Sequence, residues 1–199
     1  MPCSCASSTL TGHRGSSERG RALSVAELVG PFPPGVDPDA YDRLRRRALW
    51  RMPSGLYLLG SAFGGRRNLM THTWAMQVAT KPKLVAVSVR KDALTHELVA
   101  GGRAFSLCFV RREDRALARV FTKPATEGED GSLSGAQVRT GSTGVPVLAQ
   151  AAAWFECEVR GEVEAGDHTL FVGEVVDCSA PDESAPVLRV EDTRLNYGG

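Results

Sequence analysis

The sequence predicts a mainly β protein, built as a closed or nearly closed antiparallel β-barrel. Three observations indicate this fold class. Short apolar segments of strand length follow one another at close spacing, Gly- and Pro-containing turns join them as hairpins, and the helical patterns between them are few and short. The 199 residues suit one domain, and neither an internal repeat nor a second domain is evident.

Composition excludes several classes of function. A net charge of +1 argues against nucleic acid as the main partner, because a phosphate backbone demands a strong basic excess. No apolar run approaches the length of a membrane span. Three of the five cysteines, Cys108, Cys157 and Cys178, lie in apolar strand patterns and are expected to be buried thiols. We therefore expect a reduced, cytoplasmic protein.

The N-terminal part, residues 1–36, is predicted to be a disordered or extended arm, and residues 37–199 form the predicted domain. Residues 1 to about 20 are rich in Ser, Gly and Arg and lack the apolar block of a signal peptide. Three prolines, Pro31, Pro33 and Pro34, favour an extended chain.

A helix is predicted to begin at Asp37, which suits the N-cap, followed by Pro38 at the first helical position. Tyr41, Leu44 and Ala48 recur at helical spacing and form its apolar stripe.

The next elements are strands. Ser54–Phe63 and Asn68–Ala79 are predicted to pair as a hairpin around Gly64-Gly65. The Pro-containing turn Thr80–Lys83 ends the second strand. Leu84–Val89 is nearly all apolar and β-branched, which predicts a buried strand.

A short helix is predicted from Asp92 to Ala100, with Asp92 as its N-cap and Gly101-Gly102 as its stop signal. Ala104–Val110 alternates large and small residues and predicts another strand. Helical spacing returns over Arg112–Phe121.

The C-terminal part contains a long polar segment, Thr122–Gly144, which is Gly-rich and predicted to be a loop. Two interpretations of this loop stay open. It either covers a site or forms part of an oligomer contact, or it is simply a mobile loop. Trp154–Val159 alternates, with Phe155, Cys157 and Val159 on one face and Trp154, Glu156 and Glu158 on the other. A turn over Arg160–Asp167, a strand over Thr169–Cys178 and a short strand within Val187–Tyr197 complete the prediction.

Candidate chemistry lies where the strand ending at Arg90-Lys91 meets the helix beginning at Asp92. Two cations beside the free N–H groups of a helix start favour a phosphate, and Thr95 adds a hydroxyl. The preceding strand offers Trp74 to pack on a flat ring, with polar neighbours that can hydrogen-bond a ring or polyol: Asn68, Thr71, Thr73 and Gln77. The alternatives, a solvated turn at the two cations and a core position for Trp74, stay open.

Other catalytic templates are missing from the sequence. It contains no Gly-x-Ser-x-Gly elbow, no Gly-x-Gly-x-x-Gly fingerprint, no Walker A sequence and no Cys-x-x-Cys pair. The four histidines lack metal-ligand spacing. An enzyme with this sequence would therefore use a bound cofactor.

The stretch Asn68–Trp74, with the sequence NLMTHTW, resembles the Asn-x-Met-Thr-x-(Ser/Thr)-Trp run of the flavin reductase-like family of FMN-binding split barrels. Lys81–Val85, Thr95–Leu98 and Gly102–Phe105 match the motifs that follow in that family, with its Pro-Pro pair reduced to one proline. A separate match is Gly166–Val175. The resemblance covers roughly Tyr41 to Tyr197.

The resemblance implies a six-stranded antiparallel split barrel with a few short flanking helices, forming a homodimer with FMN near the subunit interface. It implies ring and ribityl contacts in the Asn68–Trp74 run and phosphate contacts at Arg90, Lys91 and Thr95. His168 is expected either to line the nicotinamide side or to cap its turn. The candidate cofactor-binding residues are Asn68, Met70, Thr71, His72, Thr73, Trp74, Gln77, Ser88, Arg90, Lys91, Thr95 and His168.

The implied activity is NAD(P)H-dependent reduction of FMN, or of FAD, supplying reduced flavin to a partner monooxygenase. Hydride transfer between stacked rings needs little acid-base help, so no catalytic residue and no metal are expected. The alternative is an electron-transfer flavoprotein that retains its FMN. A weaker alternative is a haem-handling or pyridoxamine-phosphate-oxidase-like split barrel, which the Asn68–Trp74 run disfavours.

Overall fold

The structure is a computed structural model that describes residues 28–195. Most of the predicted arm, residues 1–27, and Tyr197 lie outside the described residues. The helix α1 spans Pro38–Leu49 and begins as predicted, since the Asp37 carboxylate accepts a hydrogen bond of 2.7 Å from the Ala40 N–H. Its predicted apolar stripe is not buried, because no residue of α1 is buried. Within residues 28–195, no helix is long and apolar enough to cross a membrane.

The described residues contain nine strands, most of them in one large antiparallel sheet, so the predicted mainly β class is confirmed. The sheet has seven strands in the order β2-β1-β5-β8-β9-β4-β3, and β6 pairs with β7. The strands are β1 (Tyr57–Phe63), β2 (Arg66–His72), β3 (Ala75–Thr80), β4 (Lys83–Arg90), β5 (Ala104–Phe109), β6 (Val138–Thr140), β7 (Pro146–Leu148), β8 (Ala153–Ala165) and β9 (His168–Ser179).

The two edge strands of the sheet, β2 and β3, are consecutive in the chain and are separated only by Thr73 and Trp74. The prediction of one strand over residues 68–79 is therefore wrong at this joint. The chain pairs with β1 as far as His72 and with β4 from Ala75 onward, so it exchanges one neighbour for another. Alternation of side chains alone does not reveal such an exchange.

Two apolar cores lie on the two faces of the sheet. The inner core receives a side chain from every strand of the sheet, which shows that the sheet curves around it: Leu59, Met70, Ala75, Val87, Phe105, Cys157 and Phe171. The outer core lies on the other face of β1, β5 and β8, where Leu58, Cys108 and Trp154 meet Leu133, Val147 and Leu148 of the segment 133–148.

The helix α2 spans Leu94–Gly102 and corrects two predictions. Its N-cap is Ala93 without a side-chain hydrogen bond, because the Asp92 carboxylate pairs with Arg90 instead. The helix also includes both glycines. A Cβ on Gly102 would lie 2.1 Å from the Ala62 carbonyl oxygen, so this glycine permits the close approach of α2 to β1.

Four further predicted elements differ in the structure. The predicted helix over 112–121 is a 3-10 turn, Arg112–Asp114, followed by the single-turn helix α3, Leu117–Val120. The predicted loop 122–144 contains β6 and buries Leu133 completely in the outer core. The predicted turn 160–167 shrinks to Gly166-Asp167, since β8 continues to Ala165. The predicted C-terminal strand makes only isolated bridges and a 3-10 turn, Val190–Asp192.

The predicted alternation in β8 holds on the inner face, since Phe155, Cys157 and Val159 all pack on the inner core. On the opposite face Trp154 and Glu156 are both buried, and the pairing with β9 is irregular between Glu156 and Cys157. The Glu156 carboxylate accepts hydrogen bonds from the backbone N–H groups of Ser142 and Thr143, at 2.8 and 3.0 Å, and from both hydroxyls. This buried carboxylate ties the loop between β6 and β7 to the sheet.

Candidate functional site

The candidate site is centred on the joint between β2 and β3. The Trp74 carbonyl oxygen accepts the Ser88 backbone N–H at 3.0 Å and also lies 3.0 Å from His72 Nε2. Because a carbonyl oxygen only accepts, His72 must carry its proton on Nε2. These two hydrogen bonds hold the joint against β4.

His72 is a buried histidine, and burial lowers its pKa to about 4. Its hydrogen bond to Trp74 opposes that shift, and the nearby His168 adds to it. The ring is therefore neutral at neutral pH and acts as a fixed donor that positions Trp74. The sequence motif contained His72 but gave no sign of this positioning role.

Thr73 places its hydroxyl oxygen out of contact with solvent, and among the described residues it has no hydrogen-bond partner. A buried hydroxyl without a partner is costly unless a ligand completes its hydrogen bond. This atom therefore offers a polar anchor inside the candidate site.

The Trp74 ring lies beside the His168 ring, with centroids 4.9 Å apart and planes inclined by 41°. Trp74 remains 37% exposed, so it is not a core residue. His168 begins β9, and its Nδ1 lies 2.7 Å from the Asp167 carboxylate, an acceptor that orients the ring. This hydrogen bond is the main cause of the lowered pKa of Asp167. His168 thus stands at the end of the turn, and its ring also faces Trp74.

The predicted phosphate site contains the two cations, and both are engaged by carboxylates. Arg90 Nε lies 2.5 Å from Asp92 Oδ1, and the Lys91 ammonium pairs with Glu164. The Lys91 side chain is the main cause of the lowered pKa of Glu164. The backbone N–H of Lys91 donates to the Asp167 carbonyl oxygen at 2.9 Å. Sequence reasoning missed these counter-ions.

Two predicted site residues form a buried structural link. Asn68 Nδ2 donates to the Thr95 hydroxyl at 2.9 Å, and the Asn68 side-chain oxygen accepts the Ala125 N–H at 2.8 Å. Thr95 is fully buried, so its hydroxyl lies beneath the joint and not on its surface. Asn68 and Thr95 thus connect β2, α2 and the segment after α3.

The remaining predicted residues have different surroundings. Met70 packs on the inner core, and the Thr71 hydroxyl donates to the Ala118 carbonyl oxygen at 2.8 Å. Ser88 is half-buried beside Trp74. Gln77 lies apart, at a cavity on the inner side of the sheet, and its amide donates to the Ala79 carbonyl oxygen.

The structure thus brings together His72, Thr73, Trp74, Ser88 and His168, with Arg90 next along β4. Arg90 and His168 are paired neighbours on β4 and β9, and Ser88 is paired with Leu170. Two residues of strand separate Ser88 from Arg90, about 7 Å. One ligand with a ring at Trp74 and a short anionic tail therefore suits this surface.

Comparison with known proteins places the chain in a family. The family model described as flavin reductase like domain matches residues 49–196. The chain belongs to the flavin reductase-like family. The family predicted from the Asn68–Trp74 run and the Gly166–Val175 match is thereby confirmed.

Individual relatives share much of the chain. A ferric-chelate reductase (NAD(P)H) of Archaeoglobus fulgidus is 33% identical over 155 residues, which is 76% of this chain and 90% of that protein. The solved structure of the NADH:FAD oxidoreductase SgcE6 of Streptomyces globisporus C-1027 is 26% identical with a TM-score of 0.65, covering 81% of this chain and 89% of that one.

A third relative is the styrene monooxygenase flavin reductase SMOB of Pseudomonas putida S12. It is 28% identical with a TM-score of 0.59, covering 69% of this chain and 86% of that one. The names of all three relatives describe reductases or oxidoreductases, and two of the names specify a flavin. The activity predicted from the sequence agrees with these names.

Proposed function

We propose that this protein is an NAD(P)H-dependent flavin reductase that reduces FMN, or FAD, and supplies it to a partner monooxygenase. The observation that carries the proposal is the β2–β3 joint. There the buried hydroxyl of Thr73, which has no hydrogen-bond partner within residues 28–195, adjoins the paired rings of Trp74 and His168. Membership of the flavin reductase-like family and the activities named for its relatives support it.

The residues present fit a flavin. A flavin ring has polar edges and apolar faces, and the joint offers a donor on Thr73 together with an apolar platform on Trp74. Arg90 and Lys91 would hold the phosphate. When bound, the flavin supplies a ring that accepts two electrons from a reduced nicotinamide and passes them on.

The protein's own part in this reaction is to position the rings and to shield them from solvent. His72 fixes the Trp74 backbone through its Nε2 proton, and Asp167 fixes the His168 ring. Two rings held at the surface of the joint define one face against which a nicotinamide can stack. No proton transfer is assigned to a side chain, because transfer between stacked rings needs orientation above all.

The two cations favour release of the flavin over its retention. Each is already engaged by a carboxylate, Asp92 for Arg90 and Glu164 for Lys91. An incoming phosphate must compete with these internal anions, which reduces the net gain from its own ion pairs. This competition favours a substrate-like flavin over the alternative, an electron-transfer flavoprotein that keeps its FMN.

We further propose that the sheet is a six-stranded split barrel in which β2 and β3 count as one strand, and that two copies form a dimer. Support for the dimer comes from the edge strand β3 and the residue before it. Trp74, Met76 and Val78 are large apolar residues there that are 37%, 65% and 46% exposed. A second copy that covered this face would also enclose the flavin ring at Trp74. The domain from residue 37 to 199 and a cytoplasmic location stay predictions.

The function is tested with purified full-length protein under anaerobic conditions. FMN, FAD or riboflavin is added in large excess, followed by NADH or NADPH, and the flavin absorbance is monitored. We expect many turnovers of added flavin and recovery of the flavin in the filtrate after ultrafiltration. Failure of both nucleotides to reduce any added flavin would refute the proposal, and retention of one flavin per chain would favour the electron-transfer alternative.

A matched pair of variants locates the site. Thr73→Val removes the buried hydroxyl at nearly constant volume, whereas Thr80→Val makes the same change at the exposed end of β3. Because the Thr73 hydroxyl has no partner among the described residues, its loss should leave the fold intact and weaken flavin binding by about tenfold. Equal flavin affinity in both variants would contradict this placement.

A further inference from the structure

A second site lies on the inner side of the sheet. A cavity of about 430 Å³ opens between six strands, β1, β3, β4, β5, β8 and β9, and its volume suits a small organic molecule. Most of its lining is apolar, with Leu107 and Val175 among the residues concerned. Of the candidate flavin residues, Gln77 alone lines it.

Three aromatic rings form one wall of this cavity. Tyr57 and Phe109 meet edge to face, with centroids 5.4 Å apart and planes at 89°, and Phe109 and Phe155 are 5.8 Å apart at 62°. The rings come from β1, β5 and β8. Perpendicular neighbours present both ring faces and ring edges to the space beside them, which favours a planar aromatic guest.

Two hydrogen-bond donors lie among the lining residues. Lys83 makes no ion pair within residues 28–195, and the Tyr57 hydroxyl makes no hydrogen bond there. Burial raises the pKa of Tyr57, so its hydroxyl remains a donor at neutral pH. The Tyr57 side chain folds over Gly55, where a Cβ would lie 2.0 Å from the hydroxyl oxygen. The donors and the aromatic wall together select a ring that carries an anionic group.

The cavity is separate from the β2–β3 joint. Lys83 and Arg90 stand at opposite ends of β4, seven residue steps apart, which is about 23 Å along a strand. Val85 lines the cavity and belongs to the inner core, whereas neither Ser88 nor Arg90 is among the lining residues. A molecule in the cavity therefore does not occupy the place assigned to the flavin.

We propose that this cavity binds a small planar aromatic acid, with its ring against Tyr57, Phe109 and Phe155 and its carboxylate at Lys83. This site does not depend on the proposed flavin chemistry.

The test uses isothermal titration calorimetry on the full-length protein, with and without saturating FMN. The probes are 2-naphthoate, its neutral analogue 2-naphthylmethanol, and cyclohexanecarboxylate as an acid without an aromatic ring. We expect 2-naphthoate to bind with one site per chain, more tightly than either other probe, and with an affinity that FMN leaves unchanged.

Matched variants separate charge from shape. Lys83→Gln should weaken 2-naphthoate by roughly three- to fivefold and leave 2-naphthylmethanol unchanged, since an exposed ion pair contributes modestly. Lys81→Gln, an exposed lysine on the same turn but outside the cavity lining, should change neither. Val175→Phe fills the cavity and should weaken every aromatic probe by more than tenfold.

Three outcomes would overturn the proposal. They are no binding of 2-naphthoate at millimolar concentration, displacement of 2-naphthoate by one equivalent of FMN, and equal effects of the two lysine variants. The lysine pair lies on an exposed turn, so the test does not depend on whether Val175→Phe folds.

Discussion

Replacement of His72 by Gln should remove a pH-dependent loss of stability. His72 is buried and donates from Nε2 to the Trp74 carbonyl oxygen at 3.0 Å. A glutamine amide can still donate to that oxygen, but it does not titrate. The substitution therefore separates the hydrogen bond at the β2–β3 joint from the cost of charging the ring.

The size of the effect follows from the lowered pKa. The folded protein holds His72 at a pKa of about 4, compared with an ordinary histidine value of 6.5. A base with a depressed pKa binds fewer protons in the folded state, so its stabilising contribution is complete above pH 6.5 and is lost as the pH falls toward 4. The difference corresponds to about 3 kcal/mol in total, at about 1.4 kcal/mol per pH unit.

Urea denaturation at pH 7.5 and pH 4.5 measures this loss. By pH 4.5, about 2–3 kcal/mol of the free energy of unfolding should be lost through His72. Carboxylates also titrate in this range, so the informative quantity is the difference between wild type and His72→Gln. His96→Gln, at a half-buried histidine on α2, provides the matched histidine-to-glutamine control. Identical pH dependence in wild type and His72→Gln would refute the reasoning.

Four other predictions concern the phosphate site, the loop tie, the assembly and the arm. Asp92→Asn should strengthen FMN binding by about three- to tenfold, and Arg90→Ala should weaken it by a similar factor, whereas riboflavin affinity, measured by fluorescence quenching, should stay constant in both. Glu156→Ala should lower the free energy of unfolding in urea by about 2–3 kcal/mol, because four hydrogen bonds to the loop are lost, and Glu156→Gln should cost less. Light scattering of the flavin-loaded protein should give the mass of a dimer, and a monomer would contradict the proposed assembly. A truncation that starts near Ala22 should retain its flavin affinity in the same titration, and a loss would make the arm part of the site.

Most elements of the sheet were predictable because local pattern determines them. The apolar run of β4 and the alternation of β9 leave few alternatives to a strand. The break between β2 and β3 was not predictable in this way, because the change lies in the pairing partner, which is β1 before Thr73-Trp74 and β4 after it. The burial of Glu156 likewise involves Ser142 and Thr143, which donate to its carboxylate from a loop 14 and 13 residues earlier in the chain.

In the candidate site, too, residues within one short motif were predictable, whereas partners far along the chain were not. Trp74, Arg90 and Lys91 were predicted because each stands in a short motif whose chemistry is readable. Glu164 pairs with Lys91 from a position 73 residues further along the chain, so its role as a counter-ion was hidden. The aromatic wall of the inner cavity was hidden for a related reason, because Tyr57, Phe109 and Phe155 come from three different strands.

The charge balance around the joint bears on which part of a flavin this protein recognises. Arg90 and Lys91 supply two positive charges, whereas Asp92, Glu164 and Asp167 supply three negative ones, and the lowered pKa of Asp167 has the charge of Arg90 among its lesser causes. A phosphate that carries close to two negative charges therefore enters a region whose own net charge is −1 unless a carboxylate moves away. Each of these ion pairs is largely exposed, so moving one carboxylate into solvent costs little. The phosphate can thus bind, but with a small net gain, and the affinity must come mainly from the ring at Thr73 and Trp74. A protein arranged in this way should discriminate weakly between FMN and riboflavin, which suits a flavin that arrives, is reduced and departs.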